Sequence, residues 1–302
     1  MGKLMVTGAT GHLGRAVLHQ LLRRQPADRL LGLARDPSRA ADLAERGVEV
    51  RRGDYFDHGS LVRAFAGVER LLLVSAVALT DRNAQHFNAI AAAKQAGVEH
   101  VVFTAVQRDE DSDVRQAGVT DSDVFAEQAL QASGLTWTVL RQPIFLDVLG
   151  TNLGADPYRN GVRVPDGAGA VAPALRRDLA AASTAVLTED GHENTTYTLS
   201  GSESGSFREI AAALSEIHRA PVPHVPVAPE AYVDGMVAEL GVPRALAEFM
   251  AEWTAAINRG EFGANTGDLE RLIGYRPTGY REFFARHYPL VVPDAAQQAV
   301  AD

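Results

Sequence analysis

Short unbroken apolar runs recur along this chain between longer stretches in which apolar side chains return every three or four positions. That is the signature of buried strands alternating with amphipathic helices. The first run, Leu4-Met5-Val6, leads through Thr7-Gly8-Ala9-Thr10-Gly11-His12-Leu13-Gly14 into a helical stripe of Leu13, Val17, Leu18, Leu21 and Leu22. Further strands are predicted at 29–34, 48–52, 70–75, 100–104 and 135–140, with helices between them at 38–46, 60–66, 83–95 and 121–132. The alternation in Val48-Glu49-Val50-Arg51-Arg52 suits a strand at or near an edge. Strand and helix repeating at this spacing predict a doubly wound parallel sheet with right-handed crossovers.

Pro143 cannot continue a central ladder, so residues 1–143 read as one α/β unit and 144–302 as a second, smaller region. Turn residues crowd the start of that region, at Gly150, Gly154, Pro157, Gly161, Pro165, Gly167 and Gly169, which suits a cap of loops over a small-molecule cleft. Helices are predicted at 175–187, 231–240, 243–259, 267–273 and 280–287. Ser206 and Glu209 form a capping-box pattern that opens a helix running to His218. The run Thr195-Thr196-Tyr197-Thr198-Leu199 reads as a strand able to return to the sheet, prolines 221, 223 and 226 enforce an extended segment, and 295–302 are expected to fray.

Composition narrows the classes of function. Of the 302 residues, 46% are hydrophobic and 22% charged, which is ordinary for a folded globular chain. A formal net charge of -9 disfavours a general nucleic-acid footprint. Zero cysteines exclude disulfides, thiolate metal sites and a cysteine nucleophile. A glycine turn stands near the N-terminus where a signal peptide needs an unbroken apolar segment, and no stretch approaches the ~20 apolar residues that span a bilayer. A cytoplasmic protein without membrane partners is the expectation.

The glycines in 8–14 carry the first candidate chemistry. Following a strand and opening a helix, Gly8, Gly11 and Gly14 allow a sharp turn, close approach of backbone to a pyrophosphate, and tight packing of helix on sheet. The helix would aim its unpaired N–H groups at the phosphates, so no Lys or Arg is needed there. At the end of the second strand, where an acidic residue would bind ribose hydroxyls, stands Arg35, with Arg39 nearby. A guanidinium there would pair with a 2′-phosphate, favouring NADP(H) over NAD(H), although Asp36 is adjacent and a solvated loop arginine is the alternative. Asp54, just past the third strand, faces the ligand rim and can accept from an adenine amino group, or else cap a helix or turn. Ser75, Ala76 and Thr104 end later strands at the same rim. The acidic segment Asp109, Glu110, Asp111, Asp113, Asp121 and Asp123 lacks the glycine and terminal bidentate Glu of a calcium loop, so it reads as solvated, and no metal site is expected.

Hydride transfer often relies on a tyrosine and a lysine one helical turn apart to move the proton. Here the only lysines are Lys3 and Lys94, neither four residues after a tyrosine, and no tyrosine lies between Tyr55 and Tyr158. The cofactor would then do most of the work, as in hydride delivery to an electron-poor quinone whose oxygens take protons from water. Phe145, Tyr158 and Trp253 are candidates for an apolar substrate slot, or else ordinary core residues.

Together, Val6-Thr7-Gly8-Ala9-Thr10-Gly11-His12-Leu13-Gly14, Leu33-Ala34-Arg35-Asp36-Pro37, Arg52-Gly53-Asp54-Tyr55, Ala92-Ala93-Lys94-Gln95-Ala96-Gly97-Val98, Leu140-Arg141-Gln142-Pro143 and Gly267-Asp268-Leu269-Glu270-Arg271-Leu272-Ile273-Gly274 resemble the NmrA-like family of atypical short-chain dehydrogenases, on the side of the NADPH-dependent quinone oxidoreductases of the type 2 kind. The resemblance covers almost the whole chain. It implies a Rossmann-type α/β fold, an NAD(P)-binding domain at 1–143 and a smaller C-terminal α/β substrate region. It implies that Gly8, Thr10, Gly11, His12, Leu13 and Gly14 hold the pyrophosphate region and Arg35 the 2′-phosphate. Asp54 would lie near adenine, with Ser75, Ala76 and Thr104 along the ribose and nicotinamide side. Two departures bear on turnover. Glu127-Gln128 stands where the family often shows Glu-Lys, and Gln142 stands where the quinone reductases have an Asn after the arginine. The expected activity is NADPH-dependent reduction of a quinone or similar conjugated carbonyl. The alternative is a non-catalytic redox sensor that reports NADP(H) through a regulatory protein partner, and a homodimer is compatible with both.

Overall fold

Strand runs such as Leu71-Leu72-Leu73 have no polar alternation because both faces of their sheet are covered by helices. The computed structural model describes residues 2–287 apart from Leu79, Ala117 and Ala155. The first half of the chain runs β1 (Lys3–Val6), α1 (His12–Leu21), β2 (Leu30–Ala34), α2 (Ala41–Glu45), β3 (Glu49–Arg52), α3 (His58–Phe65), β4 (Val68–Leu73), α4 (Arg82–Ala96), β5 (His100–Val106), α5 (Thr120–Ala132) and β6 (Thr136–Gln142). The second half runs α6 (Leu146–Leu149), α7 (Pro157–Asn160), β7 (Val162–Val164), β8 (Ala170–Val171), α8 (Arg176–Thr188), β9 (Thr195–Thr198), β10 (Gly205–Ser206), α9 (Phe207–His218), β11 (His224–Pro226), α10 (Pro229–Leu240), α11 (Arg244–Asn258), α12 (Asp268–Ile273) and α13 (Tyr280–His287). The tail expected to fray, 295–302, lies outside the described residues.

Seven parallel strands form the main sheet in the order β3-β2-β1-β4-β5-β6-β9, the Rossmann-type α/β fold. β3 is an edge, as its alternation requires, and β9 returns from the second region to extend the sheet beyond β6. Helices α1, α8 and α12 cover one face around Leu13, Val17, Leu18, Leu179 and Leu269. Helices α3, α4 and α5 cover the other around Leu61, Phe65, Ile90 and Leu130. A third cluster, including Phe207, Ile210, Tyr232, Ile257 and Phe262, builds the C-terminal region over the sheet's far end. The capping box at Ser206 and Glu209 is formed in both directions.

Two local expectations change. The helix expected over 38–46 divides into a 3-10 turn at Pro37–Ala40 and the short α2, because Asp36 accepts from Ser38 and starts its own turn. The acidic segment is exposed at Asp109, Glu110, Asp111, Asp113 and Asp121, but Asp123 is only 1% exposed. Its place on the inner face of α5 takes it out of water, against the buried Arg82 of α4.

Two histidines are also buried. His100 in β5 shares a 2.8 Å hydrogen bond with Thr138 Oγ1, and burial, reinforced by Arg70, pushes its pKa down to about 4. His86 in α4 is pushed down to about 3 by burial and by Arg82. Both start from an ordinary 6.5. The unfolded chain therefore takes up these protons first, so their contribution is complete above pH 6.5 and is lost as pH falls toward 4. Each histidine should cost about 1.4 kcal/mol per pH unit in that window. Urea unfolding of wild type and His100→Gln between pH 7 and 4.5 should show a shallower loss in the variant, and parallel curves would refute this.

Candidate functional site

The strand order reverses between β1 and β4, and the C-terminal ends of these strands form the rim where such sheets bind ligands. Gly8 sits there with φ +62, a left-handed backbone that glycine adopts without a steric penalty. Gly11 donates to the Gly8 carbonyl at 2.9 Å, closing the turn. Gly14 is where α1 meets the turn: a Cβ there would lie 2.3 Å from Gly8 O and 2.6 Å from Thr7 O, both backbone atoms that cannot swing aside. Helix α1 opens at Gly11 with no side-chain cap and no acidic residue in its first turn. Its first-turn N–H groups thus keep their affinity for an anion. Thr10 is half-buried and His12 exposed beside this turn, while Leu13 anchors it from the core. The cradle fits a dinucleotide pyrophosphate.

Side chains from several elements hold the rim in place, Tyr55 among them, which the sequence does not single out. Tyr55, after β3, donates its hydroxyl proton to Val74 O at 2.7 Å, and its oxygen is hydrogen-bonded to Thr7 Oγ1 at 2.5 Å. Thr7 Oγ1 also accepts from Val74 N–H at 2.8 Å, so the ends of β1, β3 and β4 are tied at one point. Burial pushes the Tyr55 pKa up, which keeps the hydroxyl a donor. Thr104 Oγ1 accepts from Ser75 N–H at 2.9 Å, and His86 Nε2 accepts from Ala76 N–H at 2.9 Å. His86 is structural, as a lone helical histidine usually is, and what it shapes is the rim itself. Its depressed pKa keeps the acceptor nitrogen unprotonated.

Arg35 is exposed at the end of β2. Asp36 beside it is engaged by Ser38, whose N–H and hydroxyl both donate to Oδ1, at 3.1 and 2.7 Å. These bonds hold the Asp36 carboxyl below its usual pKa. Asp54 is half-buried, and its Oδ1 accepts from Phe56 N–H at 3.0 Å. The cap of α3 is Asp57, so Asp54 serves a turn at the rim instead.

Beyond Ser75 a cavity of about 340 Å³ opens at the ends of β4, β5 and β6. Ser75, Ala105, Gln142, Phe145 and one face of α11 line it; that face is Leu246, Phe249, Met250, Trp253 and Ile257. Gln142 is 6% exposed, and its Nε2 has no partner among the described residues. Phe145 carries the Arg176 guanidinium 5.8 Å from its ring centre. Trp253 stacks on Phe262 with centroids 5.4 Å apart. The structure thus brings Gln142, Phe145 and Trp253 together. It places Tyr158 elsewhere, stacked on His218 at 3.9 Å and not among the described lining residues. The α11 wall had a sequence signal in its 246, 249, 250, 253, 257 spacing, but that stripe does not say what it faces.

Arg82 and Asp123, which also line the cavity, form a buried ion pair. Nearby, Glu127 accepts from Arg108 at 2.6 and 2.7 Å and from Arg141 at 2.8 Å. Burial pushes the Glu127 carboxyl up, but these guanidinium bonds outweigh it and hold it below the ordinary range. Neither lysine is near: Lys3 opens β1 at the opposite rim, and Lys94 Nζ donates to Gly134 O before β6.

Gly14→Ala should lose about 1–3 kcal/mol of stability through overpacking and should also weaken NADPH binding. Gly67→Ala, at φ +76 with nothing within 4 Å, should lose stability only. Fluorescence titration with thermal melts would check this, and unchanged NADPH affinity in Gly14→Ala would contradict the cradle.

A family model described as NAD(P)H-binding matches residues 8–190. Quinone oxidoreductase 2 of Escherichia coli is 33% identical over 92% of this chain and 96% of its own length. The NAD(P)H azoreductase of Xenophilus azovorans is 30% identical over 94% and 97%. Among solved structures, the Citrobacter sp. triphenylmethane reductase superposes with a TM-score of 0.87 at 35% identity, over 94% of this chain and 98% of that one. The Escherichia coli quinone oxidoreductase complexed with NADPH gives 0.86 at 31%, over 94% and 99%. The chain belongs to the NAD(P)H-binding family, in its NmrA-like group of oxidoreductases.

Proposed function

We propose that this protein is an NADPH-dependent reductase that passes a hydride to a quinone or a similar flat, conjugated carbonyl compound, without a Tyr–Lys proton-donor pair. The observation that carries the reading is the apolar cavity of about 340 Å³ lying against Ser75 at the ends of β4 to β6. It has the size and lining of a small-molecule site with a few convergent polar groups. The named substrates of the relatives, a quinone, an azo compound and triphenylmethane dyes, are consistent with a flat, electron-poor acceptor.

When bound, the dihydronicotinamide supplies the hydride. The protein's own groups do the rest. The first turn of α1 holds the pyrophosphate, Asp54 accepts from adenine, and Ser75, Ala76 and Thr104 shape the ribose and nicotinamide side. Arg35 pairs with the 2′-phosphate, while Asp36 beside it accepts from Ser38. Phe145 and Trp253 flank the acceptor and exclude water, while Gln142 Nε2 donates to an acceptor oxygen.

NADPH absorbance followed against a panel of benzo- and naphthoquinones should show oxidation of NADPH. Tight NADPH binding with no acceptor reduced would overturn the reductase reading and favour a sensor of cofactor state. Arg35→Ala should reduce the preference for NADPH over NADH by about 1.5–3 kcal/mol, the value of a hydrogen bond to a charged group, and an unchanged affinity ratio would remove Arg35 from the site.

A further inference from the structure

The cavity is lined mainly by apolar side chains, with Ser75, Gln142, Thr151 and Asn152 as its neutral polar ones, and at one place a full charge pair has been taken out of water. Arg82 is 5% exposed and Asp123 1%. A buried pair of this kind contributes little stability over an apolar replacement, so its presence in a substrate-sized cavity calls for a chemical reason. Arg82 is held at two points: one terminal nitrogen donates to the Ala76 carbonyl and the other to Asp123 Oδ1. Asp123 is fixed in turn, its Oδ2 accepting from Val106 N–H at 2.8 Å. The Arg82 Nε has no partner among the described residues, although guanidinium groups ordinarily satisfy their donors when buried. A cation therefore lines the cavity from a fixed position.

Two-electron reduction of a quinone adds a hydride and then a proton. The hydride's electron pair forms the new bond, a carbonyl electron pair moves out onto oxygen, and that oxygen stays negative until a proton from water reaches it. The hydroquinone formed is the reduced product, and the dihydronicotinamide is oxidised. Preorganised donors aimed at such charge in a water-poor site are the strongest aid a protein gives to this kind of step.

We propose that Arg82 is a catalytic residue that stabilises the negative charge developing on the acceptor oxygen, and that Asp123 is the positioning residue that holds it there. This rests on the cavity being the acceptor site of the reductase described above. The neighbouring titratable groups fit the role. His86, on the same helix as Arg82, is neutral, its pKa depressed by burial and by Arg82. Glu127, on the helix of Asp123, is already paired with Arg108 and Arg141. Burial pushes Asp123 up, opposed by Arg82 and by the Val106 N–H, so its charge depends on the cation it holds. Among the described residues Asp123 is the carboxylate paired with Arg82, and it sets how much of that cation a ligand feels.

The test uses 4-nitrophenol as an oxyanion probe that needs no turnover. Its absorbance separates phenol from phenolate while bound. In the wild type the bound phenol should ionise about one pH unit lower than in water, a tenfold preference for phenolate. Arg82→Gln should abolish that shift, because Asp123 then faces the probe alone. Asp123→Asn should enlarge it, because the cation is no longer neutralised. Arg82→Lys, which keeps the charge and a partner for Asp123, should retain part of it and guards against a folding defect in Arg82→Gln. Opposite signs in the Arg82→Gln and Asp123→Asn variants support the assignment. Shifts of the same sign, or none, would overturn it, since a purely structural pair predicts equal damage from either side. Quinone kinetics separate the two claims. Wild type that reduces no quinone yet shows the probe shift defeats the reductase reading and the catalytic role with it, and leaves Arg82 as an anion-stabilising group of the cavity only. Quinone reduction by Arg82→Gln at wild-type kcat defeats the assignment alone.

Discussion

The contact on which the rest of this structure depends is the approach of α1 to the turn at Gly8. With Gly14 lacking a Cβ, the helix lies against the carbonyls of Thr7 and Gly8, closer than any side chain would permit. That approach aims the open first turn of α1 across the end of β1, at the point where the strand order reverses. In the proposed function, the two halves of a dinucleotide would extend from there to either side, one toward Arg35 and Asp54, the other toward Ser75 and Thr104. Every other feature of the site is placed relative to that line.

The rim is rigid because side chains on neighbouring strands and helices satisfy its loose backbone groups. Tyr55 and Thr7 join three strand ends, Thr104 holds Ser75, His86 holds the Ala76 N–H, and Arg82 holds the Ala76 carbonyl. Each removes an unpaired main-chain group that would otherwise need water at the rim. Ala76 is thus fixed from two sides by a neutral imidazole and a cation on one helix, and Ser75 by Thr104. The same helix therefore serves the sheet, the rim and the cavity.

Local signals reveal some parts of this site and hide others. The alternating periods, the glycine turn, the edge character of β3 and the capping box at Ser206 are properties of adjacent residues, and each is readable in order along the chain. What escapes is whatever depends on two distant segments meeting. Asp123 looks like one more solvated acid among its neighbours, because its partner Arg82 lies 41 positions earlier. Trp253 is legible as a candidate for the slot, but the rest of its stripe on α11 is recognisable only as apolar and not as the wall facing Gln142, a contact set by how the C-terminal region folds back. Tyr158 is an aromatic residue in a glycine-rich stretch, as a slot residue would be, yet it stacks on His218. Tyr55 goes unnoticed because its role is in its hydroxyl bonds, which no spacing rule encodes.

The account's central claim is that acceptor and nicotinamide meet at Ser75, with the acceptor inside the cavity between Phe145 and the α11 face. A crystal structure of the protein with NADP+ and a naphthoquinone tests this most directly. The account predicts the quinone ring in the cavity against Phe145 and Trp253, with an oxygen turned to Gln142 and Arg82. A quinone bound elsewhere, or a cofactor whose nicotinamide points away from Ser75, would contradict it.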